Sequence, residues 1–238
     1  MDIILAGGLW LDGRAWDAVL PGLEARGHRG VPVTLPGQGD GNPTATLDDQ
    51  LEAILAKVDA AADPPLVVGH SAACTLAGLT ADRRPDAVAA IALIGGFPST
   101  AGDQYANFFP MENGGMAFPG WEPFEGPDSG DLSTEMKAEI EVRAVPVPEG
   151  VATAVVTYGD ERRHTVPTFL ICPEFSPKQA QEWMDSGEVP ELAAQAPTLV
   201  DIDSGHWPMF SAPEALAEVL AGIADSLSPA GAPSGTAR

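Results

Sequence analysis

Apolar residues along the chain fall into short runs that alternate with helical patterns. The runs cover residues 3–6, 31–35, 66–68, 88–94, 168–172 and 198–202. Each run is too short for a buried helix and has turn residues beside it, which is typical of strands buried in a parallel sheet. The alternation with helices predicts an α/β fold, a three-layer sandwich in which a mostly parallel sheet carries helices on both faces.

Helices between the runs are indicated by apolar positions spaced three and four residues apart. One such pattern begins after Thr46, which forms a capping-box spacing with Asp49. Another covers residues 16–23, where Asp12 is suited to cap the helix and Gly27 or Gly30 to end it. Further helices are expected after residue 71 and from about residue 213.

Residues 97–150 interrupt this alternation and are called the lid below. The lid is rich in glycine and proline and has one predicted helix near residues 134–143. A long irregular insertion in a compact domain is usually functional or mobile, so its aromatic side chains either line an apolar pocket or only pin the insertion to the core. These aromatic residues are Phe108, Phe109, Phe118, Trp121 and Phe124.

Composition predicts one globular domain over residues 1–227. The chain has 238 residues, of which 45% are hydrophobic and 19% charged. The tail from residue 228 is rich in Pro, Gly, Ala and Ser and is predicted to be disordered. The N-terminus enters an apolar run without a signal-peptide pattern, so we expect a cytoplasmic protein in which Cys74 and Cys172 are reduced core residues.

The excess of acidic residues argues against some classes of binding partner. Thirty-four acidic residues against twelve basic ones give a formal charge of −22, which repels nucleic acid and anionic membrane surfaces. No apolar run approaches the length of a membrane span, and the cysteines carry no metal-binding signature. We therefore expect a small-molecule substrate, no nucleic-acid or membrane partner, and no metal. The sequence does not indicate an oligomeric state.

The pentapeptide Gly-His-Ser-Ala-Ala at residues 69–73 directly follows the run 66–68. It fits the nucleophile-elbow pattern with alanine in the last place, and its position after a strand and before a helix is the context that the pattern requires. Such a strained turn needs small residues beside the serine. We predict that Ser71 is a nucleophile; the alternative is a structural turn serine.

Four histidines are available as the base that a serine nucleophile requires. His28 and His164 precede predicted strands and so lie at the wrong end of a parallel sheet, while His70 adjoins the serine with its side chain directed elsewhere. His206 follows the run 198–202 and lies at the edge where open α/β sheets build their sites. We predict that His206 is the general base rather than a surface loop histidine.

An acid should orient this histidine from the end of an earlier strand. Glu174 follows the run 168–172 and is the leading candidate, although the usual residue in this role is Asp. Asp203 is the rival acid and Asp103 is a more distant one. The alternative for Glu174 is a solvated loop carboxylate.

Two backbone amides should stabilise the oxyanion that forms when a serine attacks a carbonyl group. The Ala72 N–H is one candidate. The other comes from the loop Gly-Gly-Leu-Trp at residues 7–10, where the Leu9 N–H is best placed. The two glycines of this loop are equally well explained by a tight turn.

Several of these motifs resemble those of the α/β-hydrolase superfamily over residues 3 to about 227. The loop at residues 7–10, followed by Trp16, is similar to the family's His-Gly-x-Trp loop, with Gly7 in place of His. Leu-Pro-Gly-Gln-Gly-Asp at residues 35–40 resembles the Leu-Pro-Gly-x-Gly loop, and Ser-Gly-His-Trp-Pro at residues 204–208 resembles the histidine loop. The nearest general likeness is to small bacterial esterases, with similarity to the plant methylesterase and hydroxynitrile-lyase branch.

The resemblance implies a Ser-acid-His triad, no cofactor, and a lid inserted after the strand that ends near residue 94. We expect a serine hydrolase that cleaves carboxylic esters of small apolar or aromatic substrates. The alternatives are a lactonase, C–C hydrolase or lyase with the same triad, or a non-catalytic ligand-binding protein. The residues expected to contact substrate are Gly8, Trp10, His70, Phe108, Phe109, Phe118, Trp121 and Trp207.

Overall fold

A computed structural model describes residues 1–227 of the protein. Strands in this part of the chain are β1 Asp2–Ala6, β2 Arg29–Val33, β3 Leu66–His70, β4 Ala90–Ile94, β5 Gly115–Met116, β6 Val147–Pro148, β7 Thr168–Cys172 and β8 Thr198–Asp201. Six of them form one sheet in the order β2-β1-β3-β4-β7-β8, and every pairing in it is parallel. The predicted parallel sheet is therefore confirmed.

Helices connect the strands and cover both faces of the sheet. They are α1 Leu20–Ala25, α2 Leu47–Ala60, α3 Ala73–Arg83, α4 Thr134–Arg143, α5 Glu149–Ala152, α6 Pro177–Ser186, α7 Pro190–Gln195, α8 Pro208–Ser211 and α9 Pro213–Leu227. Alternate residues of β1 face opposite sides, so that Ile4 packs in the core beneath α2 and α3, and Ile3 packs in the core beneath α1 and α9. Two cores with the sheet between them confirm the three-layer sandwich.

Most predicted elements are found within one or two residues of their expected positions. The capping box at Thr46 and Asp49 starts α2, with each residue's side chain bonded to the other's backbone N–H. The strand predicted at residues 31–35 is found two residues earlier, as β2 at residues 29–33.

The helix expected over residues 16–23 is wrong as a single element. Asp12 caps a short 3₁₀ helix, Gly13–Trp16, and α1 starts only at Leu20. Pro21 explains the division, since it lacks an N–H and is tolerated only in the first turn of a helix. Gly27 follows the end of α1 with a positive φ of 82°, as the C-terminal glycine was expected to do.

The lid lies between β4 and β7 and combines little regular structure with firm anchoring. Its predicted helix is found as α4 and is capped by Ser133. The short strands β5 and β6 pair in antiparallel fashion. The indole N–H of Trp10 donates to the carbonyl of Met116, and the Val145 N–H donates to the carbonyl of Trp10. The lid is thus joined directly to the loop after β1.

The tail predicted to be disordered lies outside the described residues. In residues 1–227, no helix combines the length and the apolar character needed to cross a lipid bilayer.

Candidate active site

Ser71 lies on a tight turn between β3 and α3 and has a left-handed φ of 55°. Its N–H donates to the carbonyl of Ile94 at 2.8 Å, which ties the turn to the end of β4. A side chain at Gly69 would put its Cβ 2.2 Å from the Ala73 carbonyl oxygen, so only glycine allows the helix to approach the strand this closely. The local geometry is that of a nucleophile elbow.

The loop after β1 lies directly against this serine. A Cβ on Gly8 would lie 2.9 Å from Ser71 Cβ. Within the described part of the chain, neither the Leu9 N–H nor the Ala72 N–H has a protein acceptor. Trp10 also has a left-handed φ, 64°, which marks a sharp turn just after Leu9. The two amides predicted as oxyanion donors are therefore available for a ligand.

Gln38 braces the loop after β1 and was not identified from the sequence. Its buried amide donates to the carbonyl oxygens of Gly8 and Leu11, both at 2.9 Å. Gln50 from α2 in turn donates to Gln38 Oε1 at 3.2 Å. Gln38 is the variable position of the motif at residues 35–40, which could have drawn attention to it. The sequence does not show, however, that the fold brings Gln38 against the loop after β1.

His206 and Glu174 form a close pair at the carboxyl edge of the sheet. His206 Nδ1 is 2.6 Å from Glu174 Oε1, and the two side chains are only 13% and 14% exposed. With the Nδ1 proton directed at the carboxylate, Nε2 keeps its lone pair for accepting a proton. Glu174 Oε2 is buried without a hydrogen-bond partner in residues 1–227.

The structure places the rival acids away from this pair. Asp203 and Asp103 are both exposed, and Asp203 lies on the open groove between β8 and α9. His28 and His164 contact other carboxylates, at Asp225 and at Glu161 and Glu191 respectively. Of the acids considered, Glu174 alone contacts His206.

His70, which we expected to contact substrate, is buried with both ring nitrogens bonded to the protein, so its contact with substrate stays a prediction. Its side chain is 0% exposed; Nδ1 accepts from the Gly8 N–H at 3.3 Å, and Nε2 lies 2.8 Å from the carbonyl oxygen of His206. Nε2 therefore carries the proton and donates it to that carbonyl. Burial, together with the nearby His206, lowers the pKa of His70 to about 3, so the ring stays neutral. The neutral ring links the loop after β1 to the loop that carries His206.

Aromatic side chains form a continuous chain of contacts from the loop after β1 to His206, which we call the aromatic bridge. Trp10 lies 5.9 Å from Phe124, Phe124 lies 5.3 Å from Trp207, and Trp207 lies 4.8 Å from His206, measured between ring centroids. The members of the bridge are Trp10, Phe109, Phe118, Trp121, Phe124 and Trp207.

Phe108 is not part of the bridge, and its contact with substrate stays a prediction. Its side chain is 65% exposed, whereas the neighbouring Phe109 packs on Trp10. A second aromatic group, which the sequence did not reveal, consists of Phe97, Phe175 and Trp183 in mutual contact. Phe97 follows β4 and Phe175 directly follows Glu174, so this group lies close to the orienting acid in the chain.

An apolar cavity of about 200 Å³ lies beside Trp10 but does not include Ser71. Leu11, Met136, Ile140 and Met209 contribute to its wall, between the lid helix and α8. The position of Ser71 and His206, rather than this cavity, marks the candidate active site.

The two cysteines are free and buried, as predicted. Burial raises the pKa of the Cys74 thiol far above its ordinary value, although Cys74 lies only one turn after Ser71. Burial, with the nearby Asp201 and Glu174, raises the pKa of Cys172 to about 12. Neither thiol has the thiolate character that a nucleophile needs.

The sheet order, the elbow at Ser71 and the Glu174–His206 pair are those of a hydrolase of the α/β type. A family model described as the alpha/beta hydrolase family matches residues 3–219. Since this match spans most of the chain, the protein belongs to the alpha/beta hydrolase family.

Solved structures with the same fold include three enzymes. An extracellular alpha/beta-hydrolase from a Paenibacillus species, described as sharing structural and functional homology with tobacco salicylic acid binding protein 2, has a TM-score of 0.77 at 16% identity, over 93% of this chain and 98% of that chain. A methylesterase from Arabidopsis has a TM-score of 0.75 at 15% identity, covering 95% and 99%. A pyrethroid hydrolase from Sphingobium faniae has a TM-score of 0.70 at 24% identity, covering 94% and 97%.

Proposed function

We propose that the protein hydrolyses carboxylic esters with small apolar or aromatic groups, using Ser71, His206 and Glu174. The observation that carries the proposal is the 2.6 Å contact between His206 Nδ1 and Glu174 Oε1, in a chain whose Ser71 occupies a strained elbow between β3 and α3. Membership of the alpha/beta hydrolase family supports a hydrolase, and the methylesterase among the similar structures favours an ester substrate. The aromatic bridge favours apolar or aromatic groups.

In the proposed mechanism, Ser71 Oγ attacks the ester carbonyl while His206 Nε2 takes the hydroxyl proton. The Leu9 and Ala72 amides donate to the oxyanion of the tetrahedral intermediate. His206 then returns the proton to the leaving alcohol, and an acyl-enzyme remains on Ser71. Water, deprotonated by His206, attacks this acyl group, and His206 then gives the proton to Ser71 Oγ as the carboxylic acid leaves. Glu174 orients the imidazole and stabilises its charged form throughout.

Replacement of the serine tests the proposal directly. Ser71→Ala should lower the turnover of p-nitrophenyl esters by about 10⁴-fold or more, because the remaining groups cannot supply a nucleophile. Mass spectrometry after treatment with a fluorophosphonate should show one adduct, on Ser71, and none in the variant. Unchanged turnover in Ser71→Ala would refute the assignment. Turnover that depends on Ser71 but forms no acyl-enzyme would favour a lyase instead.

The orienting acid has a matched test. Glu174→Gln keeps the shape of the side chain but removes its charge, so we expect kcat to fall by about 10⁴-fold. Asp203→Asn, an exposed acid on the neighbouring strand end, should leave kcat unchanged. The reverse result, with loss only in Asp203→Asn, would assign the acid to Asp203.

A further inference from the structure

Residues 126–132 of the lid form a turn, called the lid turn below, that lies against the loop carrying His206. The Gly205 N–H donates to Asp131 Oδ2 at 2.6 Å, and the His206 N–H donates to the Asp128 carbonyl at 2.7 Å. Two successive amides of the histidine loop are thus bonded to the lid. The first of these bonds has a carboxylate acceptor and belongs to the stronger, charge-assisted kind.

We propose that Asp131 is a positioning residue that holds the histidine loop, so that His206 is correctly placed to act as a base. The inference rests on the proposed function of His206. Asp131 does not contact the pair formed by His206 and Glu174; it acts through the backbone of the preceding residue, Gly205.

The close approach of the lid turn explains the glycine in the Ser-Gly-His motif. A Cβ on Gly205 would lie 2.4 Å from Asp131 Oδ1 and 2.5 Å from the Asp128 carbonyl oxygen. Any larger residue at position 205 would therefore push the lid turn away from the histidine loop. The motif and the lid turn fit one another, although they are far apart in the sequence.

The lid turn is itself firmly held. Ser129 is fully buried and its hydroxyl donates to the Phe124 carbonyl at 2.7 Å. The Gly130 N–H donates to the Gly126 carbonyl at 2.9 Å, and Leu132 is buried in the core beneath α1 and α9. A turn fixed in this way can impose its position on the loop that it contacts.

His206 is consequently held at three points. Its N–H is bonded to the lid turn, its carbonyl oxygen to His70, and its ring to Glu174. The contacts with His70 and Glu174 come from the sheet edge rather than from the lid. The lid turn supplies the contact at the His206 N–H and the neighbouring one at the Gly205 N–H, so the backbone of the histidine loop depends on the lid turn for its position.

Three lid variants separate this role from a general effect on the lid. Asp131→Ala should lower kcat for p-nitrophenyl esters by about tenfold or more with little change in KM, because the ground-state pocket is intact but the base is misplaced. Asp131→Asn keeps an oxygen acceptor for the Gly205 N–H and should restore most of kcat. Glu125→Ala removes an exposed lid carboxylate and should match the wild type.

A second measurement does not depend on turnover. The proton between His206 Nδ1 and Glu174 should give a far-downfield NMR resonance, and Asp131→Ala should broaden or shift it while Asp131→Asn and Glu125→Ala preserve it. The inference is wrong if Asp131→Ala keeps the wild-type kcat and resonance, or if Asp131→Asn is as impaired as Asp131→Ala. If Asp131→Ala lowers the stability of the fold, kcat and the resonance are compared at a temperature at which circular dichroism shows both variants and the wild type fully folded.

The two proposals can fail separately. If Ser71→Ala shows that the wild type has no turnover dependent on Ser71, the proposed function fails, and the resonance still reports whether the lid turn fixes His206. If turnover depends on Ser71 but is indifferent to Asp131, only the positioning role fails.

Discussion

A single buried imidazole, His70, connects the loop after β1, which carries the Leu9 amide, to the loop that carries His206. It accepts from Gly8 with one nitrogen and donates to the His206 carbonyl with the other. Only the neutral ring can do both, because the protonated ring has no acceptor. The residue before Ser71 therefore makes the folded state sensitive to acid.

This sensitivity can be measured as a change in the free energy of unfolding. In the folded protein burial lowers the pKa of His70 from 6.5 to about 3. Between these values the unfolded chain binds the proton and the folded protein does not, so the contribution of His70 is complete above about pH 6.5 and is lost as the pH falls toward about 3. Between about pH 7 and about pH 5, we expect a loss of about 2 kcal/mol from this group.

Urea unfolding at both pH values would check the expectation. His70→Gln cannot take up a proton, so its stability should fall less than that of the wild type over the same pH interval, by about that amount. An equal fall in the two proteins would show that His70 already titrates normally in the folded state.

Among the loops and helices, the contact between Gln38 and the loop after β1 has the clearest consequence. Gln38→Ala removes the donor to two buried carbonyl groups, so we expect a loss of about 1–3 kcal/mol in the free energy of unfolding. The Leu9 amide would also become less ordered, which should lower kcat by about tenfold.

A surface glutamine provides the control for this prediction. Gln181→Ala, on the exposed side of α6, should leave both the stability and kcat near wild-type values. Wild-type kcat in Gln38→Ala would mean that the loop keeps its shape without this brace. Chemical denaturation and steady-state kinetics on the same preparations give both readouts.

Strands and motif loops could be predicted from the sequence because their signals are local. The run 168–172 is found as β7 with the same ends, and the pentapeptide at residues 69–73 forms the expected elbow. Pro21 was also a local signal that the helix is divided there. We predicted one helix because we gave more weight to the apolar spacing of Trp16 and Leu23.

Contacts between distant segments could not be predicted in this way. Nothing near Gly205 in the sequence indicates that Asp131 approaches it, and nothing near Phe108 indicates that Phe109 turns inward while Phe108 faces solvent. These outcomes depend on how the lid folds back on the sheet. A pattern of hydrophobic residues specifies which faces are buried, but it does not specify which segment covers them.

The whole molecule carries a large negative charge that should favour some substrates over others. Most arginines described in the structure already pair with acids, as Arg84 does with Asp59 and Arg29 with Asp2. The 34 acidic against 12 basic residues leave a formal charge of −22. A field of this sign attracts cations toward the protein and repels anions.

The expected result is a preference in kcat/KM that depends on salt. For a matched pair of esters, one with a quaternary ammonium group and one with an uncharged tert-butyl group in its place, the cationic ester should have a kcat/KM that is higher by about tenfold at low ionic strength. The advantage should disappear between about 0.01 M and about 1 M NaCl, as the Debye length falls from about 30 Å to about 3 Å. A ratio that stays constant over this range would contradict long-range attraction.

The aromatic bridge gives the protein an optical property. Three of the protein's five tryptophans belong to the bridge: Trp10, Trp121 and Trp207. The ring centroids of Trp121 and Trp207 are 5.2 Å apart, at an interplanar angle of 75°. Indoles held this close couple their electronic transitions, so they should produce an exciton signal in circular dichroism. Trp121 comes from the lid and Trp207 from the histidine loop, so separating the two would abolish that signal. Any movement that separates the lid from the histidine loop could therefore be followed by circular dichroism on the unlabelled protein.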